Sequence, residues 1–482
     1  MNSLEQLKEN YIDGLMINQD NGADPTQRGL FSRREYSDLI TPVVEIIKNN
    51  PDLSIEELRE KIFNESNLRE KVLEFVGDKK LTPYLSLSYG TKNYTESFSV
   101  STESDVKIDK NTIYDLASVT KLFTSISILR LHAAGLIDLN DDVTKYAPEF
   151  NNLKGVSIMD LLTFQVPLKT DGRVDKATDK EEAYNILKRI SINENDNRLR
   201  PYTDMGAMVL KYVVENVTGI SMYEFVDFAI LRKLDMQDTH VVVPEEKLAR
   251  VASTSNAGYF YKDGNVRFNE VPIGTVYDDK ARVLGQTEGN LSGHAGLFST
   301  ADNMTKLAKS LINYDILDKN QVFGMSENKT GKTVLFDESE KVIQYLGQLV
   351  YSKNPVKEDT EVYHALSGRS FASQGWTGPQ LSVDPLNGIY AFMGASKPKD
   401  RMVYVDSAQS QNVETLDSGL QIVHLPNGED RVNSSRFAWE KDEGIIRPAL
   451  ALALQYRFLE HVYELELSKK TEKNYEKRLK RD

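Results

Sequence analysis

Apolar and polar positions change their spacing several times along the chain, and each change marks an element. Up to about residue 80 the apolar residues recur at helical spacing. The quartets Ser32-Arg-Arg-Glu35 and Ser54-Ile-Glu-Glu57 have the form of capping boxes at the heads of such runs. Pro83-Tyr-Leu-Ser-Leu-Ser-Tyr89 then alternates, and a strand-like run at 94–100 follows Gly90-Thr-Lys-Asn93, which predicts a hairpin. A long apolar helix opens near residue 118, passes through Ile126, Leu129 and Leu131, and stops at Gly135. Residues 156–164, 180–190, 207–217 and 303–312 also carry the helical period. Strand-like segments return at 343–351, 380–384 and 388–394. Residues 406–443 are polar and predict no clear element. Pro448 suits the first turn of a final helix whose apolar part is 449–467.

Strands on both sides of a helical stretch predict an α+β fold. The expected architecture is one antiparallel sheet flanked by helices, with a helical domain inserted between its strands. The expected division is a helical N-terminal extension (1–80), a core (81–400, with a helical subdomain at about 136–300) and a C-terminal extension (401–482) ending in a helix. A pocket is expected at the seam between sheet and helical domain.

Composition narrows the partners. A net charge of -13 argues against nucleic acid and anionic membrane surfaces. The absence of cysteine removes disulfides, thiol catalysis and Cys–zinc sites. No apolar run reaches the roughly 18 residues of a membrane span. The head of the chain lacks the basic-then-apolar form of a secretory leader, so a cytoplasmic location is expected; an exported chain trimmed of its leader would read the same. The basic tail from Lys469 onward reads as a solvated helix end.

The candidate chemistry sits in Asp115-Leu-Ala-Ser118-Val-Thr-Lys121-Leu-Phe123. A serine hydroxyl needs a base, and on a helix a lysine three residues on is its neighbour. The positive end of the helix favours both a deprotonated serine and a neutral lysine. Spacing alone says little, since it recurs at Ser104–Lys107, Ser326–Lys329 and Ser396–Lys399. What distinguishes Ser118 is the strand and loop before it and the long helix after it. Ser-x-x-Lys is the acylation motif of penicillin-binding proteins and class A β-lactamases. The fuller wording, with Phe two residues after the lysine, resembles the class C β-lactamase and esterase branch of the penicillin-recognising serine hydrolases. That resemblance implies a β-lactamase/transpeptidase-like fold and places the serine hydrolase core at 81–400.

Two further motifs follow in the order the resemblance implies. Tyr202-Thr203-Asp204, with Gly206 and an apolar helix behind it, resembles the family's Tyr-x-Asn, sometimes Tyr-x-Asp. The resemblance gives Tyr202 the proton traffic, shared with Lys121. It gives Asp204 the task of orienting Lys121, although an anion there also favours the charged lysine. Phe371-Ala-Ser373-Gln374-Gly375-Trp376-Thr377-Gly378 resembles the third motif, a Lys-Thr-Gly or His-Thr-Gly strand. Its glycines and Thr377 match. Ser373 and Gln374, the candidate substrate-binding positions, replace the cation and the threonine. A serine cannot supply the charge that binds the carboxylate of penicillins and D-alanyl peptides. The N–H groups of Ser118 and Trp376, next to Gly375, would form the oxyanion hole whatever the side chains.

Gly293-His294-Ala-Gly296 and Val276-Tyr-Asp278-Asp-Lys-Ala281 resemble wording of the esterase-like members. His294 either reaches the substrate or satisfies its own loop. The other histidines show no metal spacing, no Gly-x-Ser-x-Gly elbow supports a Ser-His-Asp triad, and no metal or cofactor is expected. The expected function is a serine hydrolase acting through an acyl-enzyme on a small-molecule ester or amide, esterase-like in preference. The alternatives are a cytoplasmic acyltransferase, a D-amino-acid peptidase or β-lactamase, and a non-catalytic binding protein that kept the fold.

Overall fold

The structure is a computed structural model and describes residues 4–22, 28–103, 107–195, 202–330, 344–354, 361–406 and 411–479. A five-stranded antiparallel sheet organises it, in the order Thr95–Ser101, Tyr84–Thr91, Ile389–Ala395, Gln380–Asp384, Phe371–Gln374. The two-residue period of its strands sends Leu85, Leu87, Tyr89, Ala391 and Met393 to one face. Leu381, Val383, Tyr390 and Phe392 go to the other. Both faces are covered, as the buried positions along its central strands require.

One cover combines the two ends of the chain. The helices Arg33–Asn49 and Ile55–Glu65 open on capping boxes at Ser32 and Ser54, as the sequence predicts. The final helix, Arg447–Leu479, lies across the Tyr84–Thr91 strand and shares its apolar core through Leu450, Ala453 and Tyr456. Buried Arg59 pairs with buried Glu460 at 3.2 Å, and Glu460 also accepts the Thr91 hydroxyl at 2.6 Å. Both terminal segments therefore share one core with the sheet.

The other cover is helical. The helix Thr120–Ala133 runs through its middle, buried on nearly every side, with Met205–Thr218 against it. The expectation for 401–482 needs correction. Arg401–Val405, Val413–Thr415, Gln421–His424 and Asp430–Asn433 are strands, and they form a six-stranded sheet with Ala257–Phe260 and Val266–Asn269. A boundary at residue 400 cuts between pieces of that sheet. The strand expected at 343–351 is also corrected: residue 343 lies outside the described residues, and the rest is a turn with isolated bridges. Leu349 is left-handed there, at φ 57°. Among the described residues no helix is long and apolar enough to cross a membrane.

Candidate active site

The strand Ile113–Asp115 delivers the chain into a tight turn, Ala117–Val119, from which the long helix starts. Ala117 is held at φ 44°, a strained conformation for a residue with a Cβ. Buried Asp115 holds it: one carboxylate oxygen accepts the Ala117 N–H and the other the Tyr277 N–H, both at 2.8 Å. Burial pushes the Asp115 carboxyl up to about 6 against the opposing pull of these two donors. The Gly375–Gly378 turn presses on the same spot. A Cβ on Gly375 would lie 2.4 Å from the Leu116 carbonyl oxygen, and the Thr377 hydroxyl donates to the Asp115 carbonyl at 2.7 Å. Ser118 and Trp376 are thus set side by side by contacts between two distant segments.

Lys121 lies one turn beyond Ser118 and is buried. Its Nζ donates to Ser118 Oγ at 2.9 Å, to Asp204 Oδ1 at 2.7 Å and to the His294 carbonyl at 3.2 Å. Burial disfavours the charge, but Asp204 and Tyr202 outweigh it and hold the lysine above its ordinary range. Its three acceptors match the three protons of an ammonium, the form that Asp204 favours over the neutral amine favoured by the helix start. Tyr202 stacks between Phe164 and Tyr351, with centroids at 5.2 and 5.6 Å, and Lys121 Nζ lies 4.9 Å from its ring centre. The other Ser-x-x-Lys spacings build nothing similar. Lys329 pairs with Glu327 and Lys399 with Glu103, while Ser104 lies outside the described residues.

Asp204 is bound at both oxygens. Oδ1 meets Lys121 and Oδ2 meets Lys280 at 3.1 Å. Lys280 also contacts Asp278 Oδ2 at 3.1 Å, and Asp278 Oδ1 meets His294 Nε2 at 3.0 Å. Asp278 caps the helix Asp279–Leu284 by accepting the Ala281 N–H, which places Lys280 in its first turn. Burial would raise both carboxyls, but the surrounding cations hold Asp204 and Asp278 far below the usual carboxylate range. The two carboxylates raise Lys280 in return, against its burial. Ligand-type atoms of Asp204, Asp278 and His294 lie within 4.8 Å of one another. Lys280 sits on both carboxylates and Lys121 on Asp204, so this is an ion-pair network.

A cavity of about 480 Å³ opens over Ser118. Tyr202, Asp204 and Lys280 form part of its wall, with Tyr259 and Asn269 from the second sheet and Tyr277 and Trp376 beside them. Arg173 and Asp175 stand in the same wall, paired through two hydrogen bonds at 2.6 and 3.1 Å. An adjoining cavity of about 220 Å³ behind Asp204 and Lys280 is lined by Val174, Leu187, Met205 and Met208.

Of the candidate substrate contacts, three fall outside the cavity lining. Ser373 pairs with Leu381 and is buried on the sheet face toward the helical cover. Gln374, one residue on, points to the opposite face by strand alternation, with its amide nitrogen buried and unpaired. His294 is buried between Ser292 and Asp278, and its carbonyl, not its ring, meets Lys121. Sequence reasoning left Lys280, Tyr277, Tyr259, Asn269 and the Arg173–Asp175 pair out of the site. The one available signal was the Val276–Ala281 wording, which contains Tyr277, Asp278 and Lys280.

The family model described as Beta-lactamase matches residues 89–410. The chain belongs to the β-lactamase family. It is 29% identical over 324 residues to a protein of Escherichia coli K12 named "Putative D-alanyl-D-alanine carboxypeptidase", covering 62% of this chain and 72% of that one. A Salmonella typhi protein of the same name is 27% identical over 318 residues, covering 61% and 71%. Among solved structures, the octameric penicillin-binding protein homologue from Pyrococcus abyssi has a TM-score of 0.51 at 19% identity, covering 68% of this chain and 73% of that one. A class C β-lactamase from Rhodobacter sphaeroides also scores 0.51, at 17% identity, covering 71% and 96%.

The fold is accordingly the β-lactamase/transpeptidase-like α+β fold, and this β-lactamase-family protein is a serine hydrolase. Its second sheet, which lends Tyr259 and Asn269 to the cavity wall, takes four of its six strands from residues 401–433.

Proposed function

We propose that the protein acts through an acyl-enzyme on an uncharged ester, or on an amide without a terminal carboxylate. Ser118 attacks the carbonyl. Lys121, after releasing a proton to solvent, takes the Ser118 proton on its neutral amine and returns it through Tyr202 to the leaving group, and the N–H groups of Ser118 and Trp376 receive the oxyanion. Asp204 and Gly375 support this arrangement, one by orienting Lys121 and the other by letting the Trp376 turn approach. The observation that carries the reading is the hydrogen bond of 2.9 Å between Lys121 and Ser118, with Tyr202 stacked beside the lysine.

Substrate choice rests on charge. Ser373 brings no cation to the third motif, and the cavity's other cations each have a carboxylate: Arg173 has Asp175, and Lys280 has Asp204 and Asp278. A substrate carboxylate would have to compete with these pairs. The relatives named for D-alanyl-D-alanine carboxypeptidase activity favour a second reading, a D-amino-acid peptidase. The test is intact-protein mass after exposure to a fluorophosphonate, p-nitrophenyl acetate or benzylpenicillin, for the wild type and Ser118→Ala. A Ser118-dependent adduct with the first two but not with penicillin is expected. A penicillin adduct would move the assignment to the peptidase reading, and no adduct at all would refute the nucleophile.

A further inference from the structure

Asp204 poses a problem that the rest of the site answers. A lone carboxylate 2.7 Å from Lys121 would hold a proton on the lysine and oppose transfer from Ser118. An amide at this position would offer one acceptor oxygen and, on its other arm, an N–H donor, without net charge. Asp204 with Lys280 presents the same pattern. Oδ1 accepts from Lys121, and the arm at Oδ2 ends in the N–H donors of Lys280 at 3.1 Å, in the cavity wall.

We infer that Lys280 is a positioning residue that offsets part of the Asp204 charge, so that Lys121 gives up its proton more readily than it would beside an unpaired carboxylate. The placement of Lys280 supports this. It sits in the first turn of a helix, where a cation meets the positive end of the helix dipole and is disfavoured. What holds it there is the pair of carboxylates, Asp204 and Asp278, each at 3.1 Å. Asp278 is committed in turn: its other oxygen takes His294 and the Ala281 N–H, which leaves Asp204 as the carboxylate Lys280 shares with Lys121. The groups facing Lys121 are Ser118 from its own turn, Tyr202 and Asp204 from the segment before the Met205–Thr218 helix, and the His294 carbonyl. Lys280 and Asp278 stand behind Asp204, and Tyr351 stands behind Tyr202.

The inference rests on the acyl-enzyme reading, so its test carries two readouts. The first is the rate of fluorophosphonate labelling of Ser118 from pH 6 to 10. The second is the titration of Lys121 followed by NMR of ε-¹³C-lysine, which needs no reaction. Lys280→Met removes the charge and keeps most of the stem. It is expected to label about tenfold more slowly near neutral pH, with the profile and the Lys121 titration both moved up by about one pH unit. Lys280→Arg should track the wild type. Adding Asp204→Asn to Lys280→Met should bring labelling back to within about threefold of wild type and lower the Lys121 titration again. A merely structural lysine would show no such rescue. A wild-type profile in Lys280→Met, or a loss that Asp204→Asn fails to repair, overturns the inference. If the wild type forms no Ser118 adduct, the acyl-enzyme reading fails, and the Lys121 titrations alone decide the role of Lys280.

Discussion

Replacing Asp115 by Asn should change how stability depends on pH, by an amount that follows from the burial of one carboxyl. Asp115 is fully buried, and its carboxyl is raised from 3.8 to about 6, burial outweighing the N–H groups of Tyr277 and Ala117. A folded-state value above the unfolded one means the folded chain binds the proton more tightly. The resulting stabilisation is fully present below about pH 4 and is lost as the pH rises through about 6. Roughly two units at about 1.4 kcal/mol each gives close to 3 kcal/mol. Asn does not titrate. It also cannot accept both N–H groups, which adds a cost of about 1–3 kcal/mol that does not vary with pH. Asp204 and Asp278, whose values are lowered, lose stabilisation on the acid side in both proteins and cancel in the difference. Urea unfolding of wild type and Asp115→Asn at pH 4, 5, 6 and 7 measures the effect. The advantage of the wild type should shrink by about 2.5 kcal/mol between pH 4 and 7, the rest of the effect lying below pH 4. A difference constant to within about 0.5 kcal/mol across that range would refute the assignment of a raised carboxyl to Asp115.

Two further substitutions probe how the ends of the chain and the third motif hold the site. Gly375→Ala puts a Cβ 2.4 Å from the Leu116 carbonyl oxygen, a backbone atom that cannot swing aside. It should lower stability by about 1–3 kcal/mol and slow Ser118 labelling at least tenfold, which thermal melts and intact mass would read. Unchanged labelling would separate the Trp376 turn from the oxyanion site. Glu460→Ala takes from Arg59 its buried carboxylate and from Thr91 its acceptor, leaving Arg59 only the more distant Glu56 at 3.9 Å, and should cost about 3 kcal/mol. A loss under 1 kcal/mol in denaturant melts would show that the N-terminal helices dock without this pair.

The parts of the site that were legible in the sequence are those whose geometry is local. Ser118 and Lys121 share one helical turn, so their spacing already states their contact. The capping boxes at Ser32 and Ser54 are four-residue devices and formed as written. Tyr202 and Asp204 lie more than eighty residues away, and only the resemblance of their wording brought them to the lysine. The strands at 401–433 escaped for a different reason. They are short and half-exposed, so alternation has little length in which to show, and the first of them pairs in parallel with Ala257–Phe260, far back in the chain.

Charge was the least legible quantity, because a side chain's effective charge belongs to its neighbours. Read alone, Asp204 looked like an anion that would lock Lys121 in its charged form. In the fold it is one arm of a chain running Lys121, Asp204, Lys280, Asp278, His294, in which each carboxylate sits between partners. The sequence contains all five residues, but their order in space comes from four separate segments meeting under the cavity: the start of the Thr120–Ala133 helix, residue 204, the head of the Asp279–Leu284 helix and the turn holding His294. Gln374 makes the same point in reverse. Its place in the motif suggested substrate contact, yet a strand sends neighbouring side chains to opposite faces, and it is Ser373 that points toward the helical cover. With no cation at Ser373, the cations of the cavity wall, Arg173 and Lys280, are held by the protein's own carboxylates. That pairing is the ground on which an uncharged acyl donor is proposed in preference to a carboxylate-bearing one.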